Sequence, residues 1–207
     1  MAGHGYAIFD TSVGRCGIAW GRHGIAGMRL PEVREIETRR RLLLQFPEAR
    51  EIKPPEDVEL AIEGIVASLR GEPCDLSDAP LDLNGTSPFH RRVYESVRLI
   101  PYGQTRTYAE LAARLGASGA VHAVGQAINR NPFAILVPCH RTLASSGLTS
   151  GFAGNGGIVT KFRLLSIEGA LAGRSPTLFD ALLSAAPPRS LTSRQASRSA
   201  PVSAPTA

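Results

Sequence analysis

Four apolar residues, Ala134 to Val137, run directly into the tetrapeptide Pro138-Cys139-His140-Arg141. A short apolar run that ends in proline predicts a buried strand, because proline has no N–H to donate to a sheet ladder. Cys139 is therefore expected on a turn just beyond a strand, with His140 beside it.

Cys139 has two interpretations at this point. The thiolate is the reactive form of cysteine and a neighbouring imidazole can take the thiol proton, so Cys139 and His140 are candidates for a nucleophile and its base. A buried cysteine also occurs as a small apolar residue without reactivity. The tetrapeptide alone leaves both interpretations open.

Charge is distributed unevenly along the 207 residues. The net charge of +5 at neutral pH divides into −4 for residues 1–87, +6 for residues 88–170 and +3 for residues 171–207. A basic segment that contains Cys139, joined to a mildly acidic one, predicts a polyanion-binding half and a scaffolding half. Ordinary charge scatter is the alternative explanation.

The cysteines and the apolar stretches indicate the environment. Cys16, Cys74 and Cys139 cannot all pair and none belongs to a C-x-x-C motif, so neither disulfides nor a clustered zinc site is expected. The N-terminus lacks a signal-peptide core, and no apolar stretch reaches the length of a membrane span. We therefore expect a cytoplasmic protein with no metal, no cofactor and no membrane partner.

The first half of the chain predicts a small antiparallel sheet followed by helices. Glycine turns separate three β-prone segments, which are residues 5–11, 16–20 and 25–30. Apolar residues at helical spacing then cover Glu32 to Phe46 and Glu56 to Leu69. A polar, turn-rich stretch follows, so we expect an N-terminal domain over residues 1–72 and a linker over residues 73–87.

Two closely spaced helices are predicted in the second half. Thr107 and Glu110 have the spacing of a capping box, which predicts a helix that stops at Gly116. Ser118 is then the expected N-cap of a helix from Ala120 to Arg130. A pair of helices joined by so short a turn is typical of a helix-turn-helix.

Further elements flank this pair. An amphipathic helix is expected from Pro88 to Ile100, a hairpin or wing over residues 142–157, and a last helix from Thr160 to Glu168. We expect one domain over residues 88–170, a C-terminal extension that could dock over residues 171–183, and a disordered tail over residues 184–207.

The second helix of the pair has an unusual surface. His122, Gly125, Gln126 and Asn129 share one polar face, and small residues elsewhere on the helix allow close approach to a partner. No Lys or Arg lies on that face, which is unexpected for a helix held mainly by phosphates. Tight packing against another helix is the alternative explanation for the small residues.

Motifs surround the Pro-Cys-His-Arg tetrapeptide in a particular order. They are Tyr102-Gly103-Gln104-Thr105-Arg106-Thr107-Tyr108, Ala123 to Pro132, Gly151-Phe152 and Lys161 to Gly169. In this order and spacing the chain from about Phe89 to Gly169 resembles the methylated-DNA-protein-cysteine methyltransferases, which repair alkylated guanine and are consumed in doing so. The resemblance implies a mixed α/β (α+β) architecture: an RNase H-like N-terminal sheet domain followed by a winged helix-turn-helix domain that binds DNA and carries the chemistry.

The resemblance also implies roles for five residues. Cys139 would accept the alkyl group from O6 of guanine, and His140 would act as its base, directly or through water. Glu168 would orient His140 and stabilise the imidazolium. Tyr108 matches the tyrosine that donates to the departing base, and Asn131 matches the asparagine that braces the turn around the cysteine.

Contacts to double-stranded DNA are implied for the polar helix. The target nucleotide must be flipped out of the duplex, and in the family an arginine on the minor-groove helix fills the gap. This chain has His122 at that position, a shorter side chain that is only partly charged near neutral pH. Gly125, Gln126 and Arg141 are the other expected contacts to DNA or substrate.

Three departures from the family concern the pocket and the metal. Phe152 and Ala153 replace a tyrosine and a serine that are common in the substrate pocket. Some relatives hold a zinc ion in the N-terminal domain, but this chain has Gly21 and Ala26 at the corresponding positions, so no metal is expected. A monomer is expected.

Two other classes of protein remain as alternatives. One is a non-catalytic alkyltransferase-like protein that binds alkylated DNA, but such proteins lack the cysteine that is present here. The other is a Cys-His hydrolase, which would need an oxyanion-binding loop that the sequence does not reveal.

Overall fold

The computed structural model describes residues 5–144 and 157–170. Its first half contains β1 (Gly5–Thr11), β2 (Gly14–Gly21), β3 (Gly24–Arg29), α1 (Glu35–Gln45), β4 (Arg50–Glu51) and α2 (Glu56–Leu69). Its second half contains α3 (Pro88–Arg98), β5 (Arg106–Thr107), α4 (Tyr108–Arg114), α5 (Val121–Asn129), β6 (Thr142–Leu143) and α6 (Gly157–Ile167). Within these ranges, every helix is too short or too polar to cross a membrane.

The N-terminal sheet has the strand order β3-β2-β1-β4. The three predicted strands are confirmed, and β1 pairs antiparallel with β2, as β2 does with β3. The expectation of a purely antiparallel sheet is wrong, because β4 runs parallel to β1 after the crossover through α1. Two residues of β4 form this pairing, too few for a period-2 pattern to be visible in the sequence.

Both faces of the sheet are buried. On one face Ala19 and Ala26 pack with Leu42 and Phe46 in and after α1. On the other face Cys16, Ile18 and Trp20 belong to a larger core that continues into α2 and into the second half of the chain. The two halves of the chain therefore share one hydrophobic core.

Strand β3 connects the sheet to the segment that precedes Cys139. Its edge receives the linker, since Ile25 donates its N–H to the Pro80 carbonyl at 2.7 Å. Further along, Met28 donates its N–H to the Pro132 carbonyl at 2.8 Å. Because these backbone groups are hydrogen-bonded, the segment that leads to Cys139 is held against the edge of the sheet.

Local capping signals are confirmed in the second half. The Thr107 hydroxyl accepts from the Glu110 N–H at 3.1 Å, and the Glu110 carboxylate accepts from the Thr107 N–H at 2.6 Å, which completes the capping box. Gly116 follows α4 with a φ of +67°, as its predicted role requires. The prediction for Ser118 is wrong: it begins a single 3-10 turn, and α5 starts after Ala120 without a side-chain cap.

The apolar run before Cys139 is buried but is not a strand. Phe133 makes an isolated parallel bridge with Met28, and the chain then turns, with Val137 donating its N–H to the Phe133 carbonyl at 2.8 Å. Ile135 has a φ of +66°, a left-handed conformation that no extended strand contains. Periodicity cannot separate a short buried strand from a buried turn of the same composition, so the strand prediction was wrong.

Several predictions fall on residues outside the described ranges. These are residues 145–156 of the hairpin or wing predicted over residues 142–157, with Phe152 and Ala153, the extension over residues 171–183 and the tail over residues 184–207. The described part of the chain ends where Gly169, with a φ of +68°, terminates α6. The Ala170 N–H donates to the Leu165 carbonyl at 2.9 Å, closing the helix end in a Schellman pattern.

Candidate active site

Cys139 opens a single 3-10 turn that ends at Arg141. The residue is 8% exposed, and burial raises the pKa of the Cys139 thiol. A hydrogen bond from Asn131 and the positive charge of Lys161 act in the opposite direction and lower that pKa. Cys139 therefore rests as a thiol in surroundings that also stabilise its thiolate.

Asn131 holds the turn together. Its side-chain oxygen accepts the Phe133 N–H at 2.9 Å, and its side-chain nitrogen donates to the Val137 carbonyl at 2.9 Å. One amide thus links both ends of the buried turn that precedes Cys139. This geometry fits the bracing role expected for Asn131.

His140 and Glu168 form a buried pair. His140 Nε2 lies 2.7 Å from Glu168 Oε1, and the two side chains are 1% and 4% exposed. Burial lowers the pKa of His140, and the nearby charges of Arg141 and Lys161 lower it further against the opposing effect of Glu168. A neutral His140 with its proton on Nε2 donates to Glu168 and leaves Nδ1 as an acceptor.

The other ring nitrogen of His140 is available for chemistry. Nδ1 is buried and has no hydrogen-bond partner among the residues that the structure describes. A buried acceptor without a partner is costly unless a water or a reacting group reaches it. Cys139 immediately precedes His140 in the same turn, so its thiol is the candidate donor to Nδ1, either directly or through one water.

Arg141 clamps Glu168 from the other side. Its Nε donates to Oε2 at 2.9 Å, its Nη2 donates to Oε1 at 3.0 Å, and its Nη1 donates to the Ile100 carbonyl at 2.7 Å. Glu168 also accepts the Gly103 N–H at 3.3 Å. Burial raises the pKa of Glu168, but His140 and Arg141 outweigh this effect and lower the pKa to about 2.

The placement of Arg141 corrects its expected role. The residue is 8% exposed and its guanidinium is occupied by Glu168 and a backbone carbonyl, which argues against the predicted contact with DNA. Glu168 occupies the position after the last residue of α6, and the helix dipole disfavours a negative charge at that end of a helix. Arg141 supplies the positive charge that keeps Glu168 ionised there.

Lys161 is a site residue that the sequence analysis missed. It is 1% exposed, and its ammonium donates to the Thr142 carbonyl. Thr142 in turn donates its hydroxyl to the Cys139 carbonyl at 2.7 Å. Burial lowers the pKa of Lys161 to about 8, while Cys139 opposes that shift.

The sequence did contain a signal for this position. Lys161 lies three, four and seven residues before Leu164, Leu165 and Glu168, so all four share the buried face of α6. A lysine on the apolar face of an amphipathic helix is unusual unless it is paired.

Tyr108 and Gly125 place α4 and α5 in contact. Tyr108 is the first residue of α4 and is 7% exposed. A Cβ atom at Gly125 would lie 3.5 Å from two carbons of the Tyr108 ring, which is ordinary van der Waals contact. The small residue lets α5 cross directly over the tyrosine, as the interpretation of a closely packed helix predicted.

The outer face of α5 remains open. His122, Gln126, Asn129 and Arg130 are exposed, and His122 Nε2 lies 3.1 Å from Gln126 Nε2. Gln126 donates to His122 when the ring is neutral at that nitrogen. This polar face is free to meet a ligand.

The fold and the site together define a class of protein. A buried cysteine sits beside a neutral histidine whose far nitrogen is anchored by a carboxylate, within a basic domain that carries a closely packed helix pair. This arrangement is that expected of a protein with a reactive cysteine, and its basic surroundings suit a polyanionic partner.

Comparisons with known proteins identify the family. Residues 88–170 match the family model described as 6-O-methylguanine DNA methyltransferase, DNA binding domain. The methylated-DNA–protein-cysteine methyltransferase of Mycolicibacterium paratuberculosis is 46% identical over 120 residues, which cover 58% of this chain and 70% of that protein. The chain belongs to the methylated-DNA–protein-cysteine methyltransferase family.

Two further similarities concern DNA. A protein of Thermus thermophilus named DNA base-flipping protein is 46% identical over 109 residues, covering 53% of this chain and 71% of that protein. The crystal structure of Mycobacterium tuberculosis OGT in complex with DNA covers 79% of this chain and 92% of its own, with a TM-score of 0.62 and 34% identity.

Proposed function

We propose that this protein repairs DNA by transferring an alkyl group, typically methyl, from O6 of guanine to Cys139. The observation that carries the proposal is the buried His140, whose Nε2 lies 2.7 Å from Glu168 and whose Nδ1 has no partner among residues 5–144 and 157–170. Its membership of the methyltransferase family supports the same activity. The competing alkyltransferase-like function is disfavoured because Cys139 is present and buried among its expected partners.

The transfer step balances without a cofactor. His140 takes the thiol proton of Cys139, directly or through water, and Sγ attacks the alkyl carbon. The S–C bond forms as the C–O6 bond breaks, and the bonding electrons remain with the departing guanine. Tyr108 donates a proton to that base, so that it does not leave as a full anion, and regains one from solvent.

The product explains why one molecule repairs one lesion. The thioether on Cys139 has no leaving group better than carbon, so the thiol is not regenerated. Glu168 and Arg141 act before the step, by fixing the tautomer and the position of His140.

DNA would be engaged through α5. We infer that α4 and α5 form the helix-turn-helix of a winged domain and that the exposed face of α5 enters the minor groove, with Gly125 and Gln126 near the backbone. His122 would occupy the gap left by the flipped nucleotide, whose extrusion costs a few kcal/mol. The exposure of His122 and the DNA complex of the related structure support this arrangement.

The remaining expectations are part of the same proposal. Residues 1–72 would form an RNase H-like scaffold, residues 73–87 the linker and residues 88–170 the reacting domain. The protein would work as a metal-free monomer in the cytoplasm, where its three unpaired cysteines persist as thiols.

A direct test uses an oligonucleotide that contains O6-methylguanine. After incubation in excess DNA, we expect one methyl group per protein, located by mass spectrometry on the peptide that contains Cys139. Cys139→Ser should accept none, while the matched variant Cys74→Ser should behave as the parent. A parent that binds the oligonucleotide without acquiring a methyl group would identify the alkyltransferase-like function instead.

A further inference from the structure

A groove of about 420 Å³ lies next to the active-site turn. One wall is the linker around Cys74 and Leu76, the other is the end of α3 with Leu99, and Pro138 and Arg141 also line it. The groove therefore adjoins both the residue before Cys139 and the partner of Glu168.

Two residues that line the groove, Leu99 and Arg98, are not fully covered or hydrogen-bonded within the described part of the chain. Leu99 is 70% exposed although it lines the groove, whose other lining residues include Leu76 and Leu136 but also Asp75 and Arg98. Arg98 Nη2 donates to the carbonyls of Leu76 and Ala79, both at 2.9 Å, but Arg98 Nε is buried without a hydrogen-bond partner among the described residues. An exposed leucine beside an arginine predicts an occupant that is apolar and carries a negative charge.

The described chain ends close to this groove. Tyr102, which lines the groove, donates its hydroxyl to the Ile167 carbonyl at 3.4 Å, near the end of α6. The Schellman turn at Gly169 ends the helix, and Ala170 is the last described residue. The nine residues that follow Ala170, up to Phe179, can span up to about 30 Å when extended, which is long enough for the next apolar segment to reach the groove.

The sequence after Ala170 contains one segment with the required chemistry. Leu178, Phe179, Leu182 and Leu183 are spaced to share a helix face, and Phe179 is the one aromatic residue in positions 171–207. Asp180, the one acidic residue in the same stretch, is adjacent to Phe179.

We propose that residues 175–183 dock in this groove, with Phe179 and Leu182 packed on Leu99 and the Asp180 carboxylate beside the Arg98 guanidinium. Docking removes the exposed leucine from water and places a negative charge next to the arginine that lines the groove. It also packs the C-terminal extension against the turn that carries Cys139.

Cys74 provides a native reporter for occupancy, because it lines the groove and is half-buried. The rate of its alkylation by iodoacetamide is measured in the full chain by peptide-resolved mass spectrometry. We expect Phe179→Ser to raise the Cys74 rate at least fivefold, and the matched variant Val202→Ser to leave it unchanged. Leu99→Ser should reproduce the rise, whereas Leu60→Ser, at a residue that is 61% exposed on α2, should not.

Other occupants give different results. Equal Cys74 rates in Phe179→Ser and the parent would overturn the proposal. Protection that disappears on dilution of the parent would assign the groove to a second copy of the chain, which also overturns it. As an independent measurement, Phe179→Cys should form an intramolecular disulfide with Cys74 under mild oxidation, and Val202→Cys should not.

Discussion

Replacing Glu168 by glutamine removes the negative charge that His140 and Arg141 share while preserving the size of the side chain. The carboxylate accepts from both partners and from the Gly103 N–H, and it is 4% exposed. Two effects should follow. Transfer should slow because the glutamine amide can present its NH2 as well as its oxygen to His140 and no longer fixes the tautomer of the ring. The fold should weaken because Arg141 becomes a buried cation without a counter-ion.

Two independent estimates give the size of the second effect. Removing one partner of a buried ion pair costs ~3–5 kcal/mol. The folded pKa of about 2 for Glu168, against an ordinary value of 4.5, corresponds to about 3 kcal/mol between the ionised and protonated carboxyl groups. Because protonation and amidation both neutralise Glu168, we expect Glu168→Gln to lower the free energy of unfolding by about 3 kcal/mol, or the melting temperature by about 10 °C.

Acid should reproduce this loss in the parent protein. A folded pKa below the unfolded one means that the contribution of Glu168 is complete above pH 4.5 and is lost as the pH falls toward about 2. In Glu168→Gln, the melting temperature should therefore fall less steeply over that range than in the parent.

A variant of Arg141 distinguishes the effect of Glu168 on stability from its effect on the transfer reaction. Arg141→Met should also destabilise the fold, but the double variant should lose less than the sum of the single losses, since neither charge is then left unpaired. Single-turnover transfer to free O6-benzylguanine should be slow in both variants that lack Glu168. Additive stability losses, or a parental rate in Glu168→Gln, would contradict the roles assigned to the pair.

Three further predictions concern Lys161, His140 and His122. Lys161→Met should raise the pKa of Cys139 and slow transfer at pH 7 by about tenfold for each unit of that rise. The melting temperature should fall by no more than the loss of one hydrogen bond explains. An unchanged transfer rate would show that Lys161 has no part in the reaction. Because burial lowers the pKa of His140 from 6.5, the rate profile should have its acidic midpoint below pH 6.5, and a midpoint above pH 7 would show a different base. His122→Ala should lose transfer on duplex DNA but react nearly normally with O6-benzylguanine, and His122→Arg should restore the duplex rate; equal small changes on both substrates would exclude base extrusion by His122.

Local interactions made much of the fold predictable. The capping box of Thr107 and Glu110 involves atoms within one helical turn, so the sequence contains all of its information. The helix from Glu56 to Leu69 followed in the same way from apolar spacing, and its bounds are confirmed. The pairing of His140 with Glu168 was available only through the family resemblance, since 28 residues separate the two.

Long-range contacts explain what the sequence did not reveal. The conformation of residues 134–137 depends on Asn131, whose amide spans the turn, and on the edge of β3, which forms a bridge with Phe133 and not with residues 134–137. The burial of Arg141 depends on the Ile100 carbonyl, 41 residues earlier in the chain. Neither partner is visible in the pattern around Pro-Cys-His-Arg, so Arg141 looked like a candidate for DNA.

The charges around Cys139 suit a thiol that reacts once and is not regenerated. Arg141 already neutralises Glu168, so the carboxylate orients His140 more than it raises the basicity of the ring, and the pKa of His140 stays below its usual value. Nδ1 of His140 therefore carries no proton at neutral pH, and the pKa of the Cys139 thiol remains raised by burial. In the proposed reaction, Cys139 would stay protonated until an alkyl carbon reaches it, and Nδ1 of His140 would take the thiol proton as the S–C bond forms. Lys161, whose pKa is about 8, would then provide the nearby positive charge that stabilises the developing thiolate.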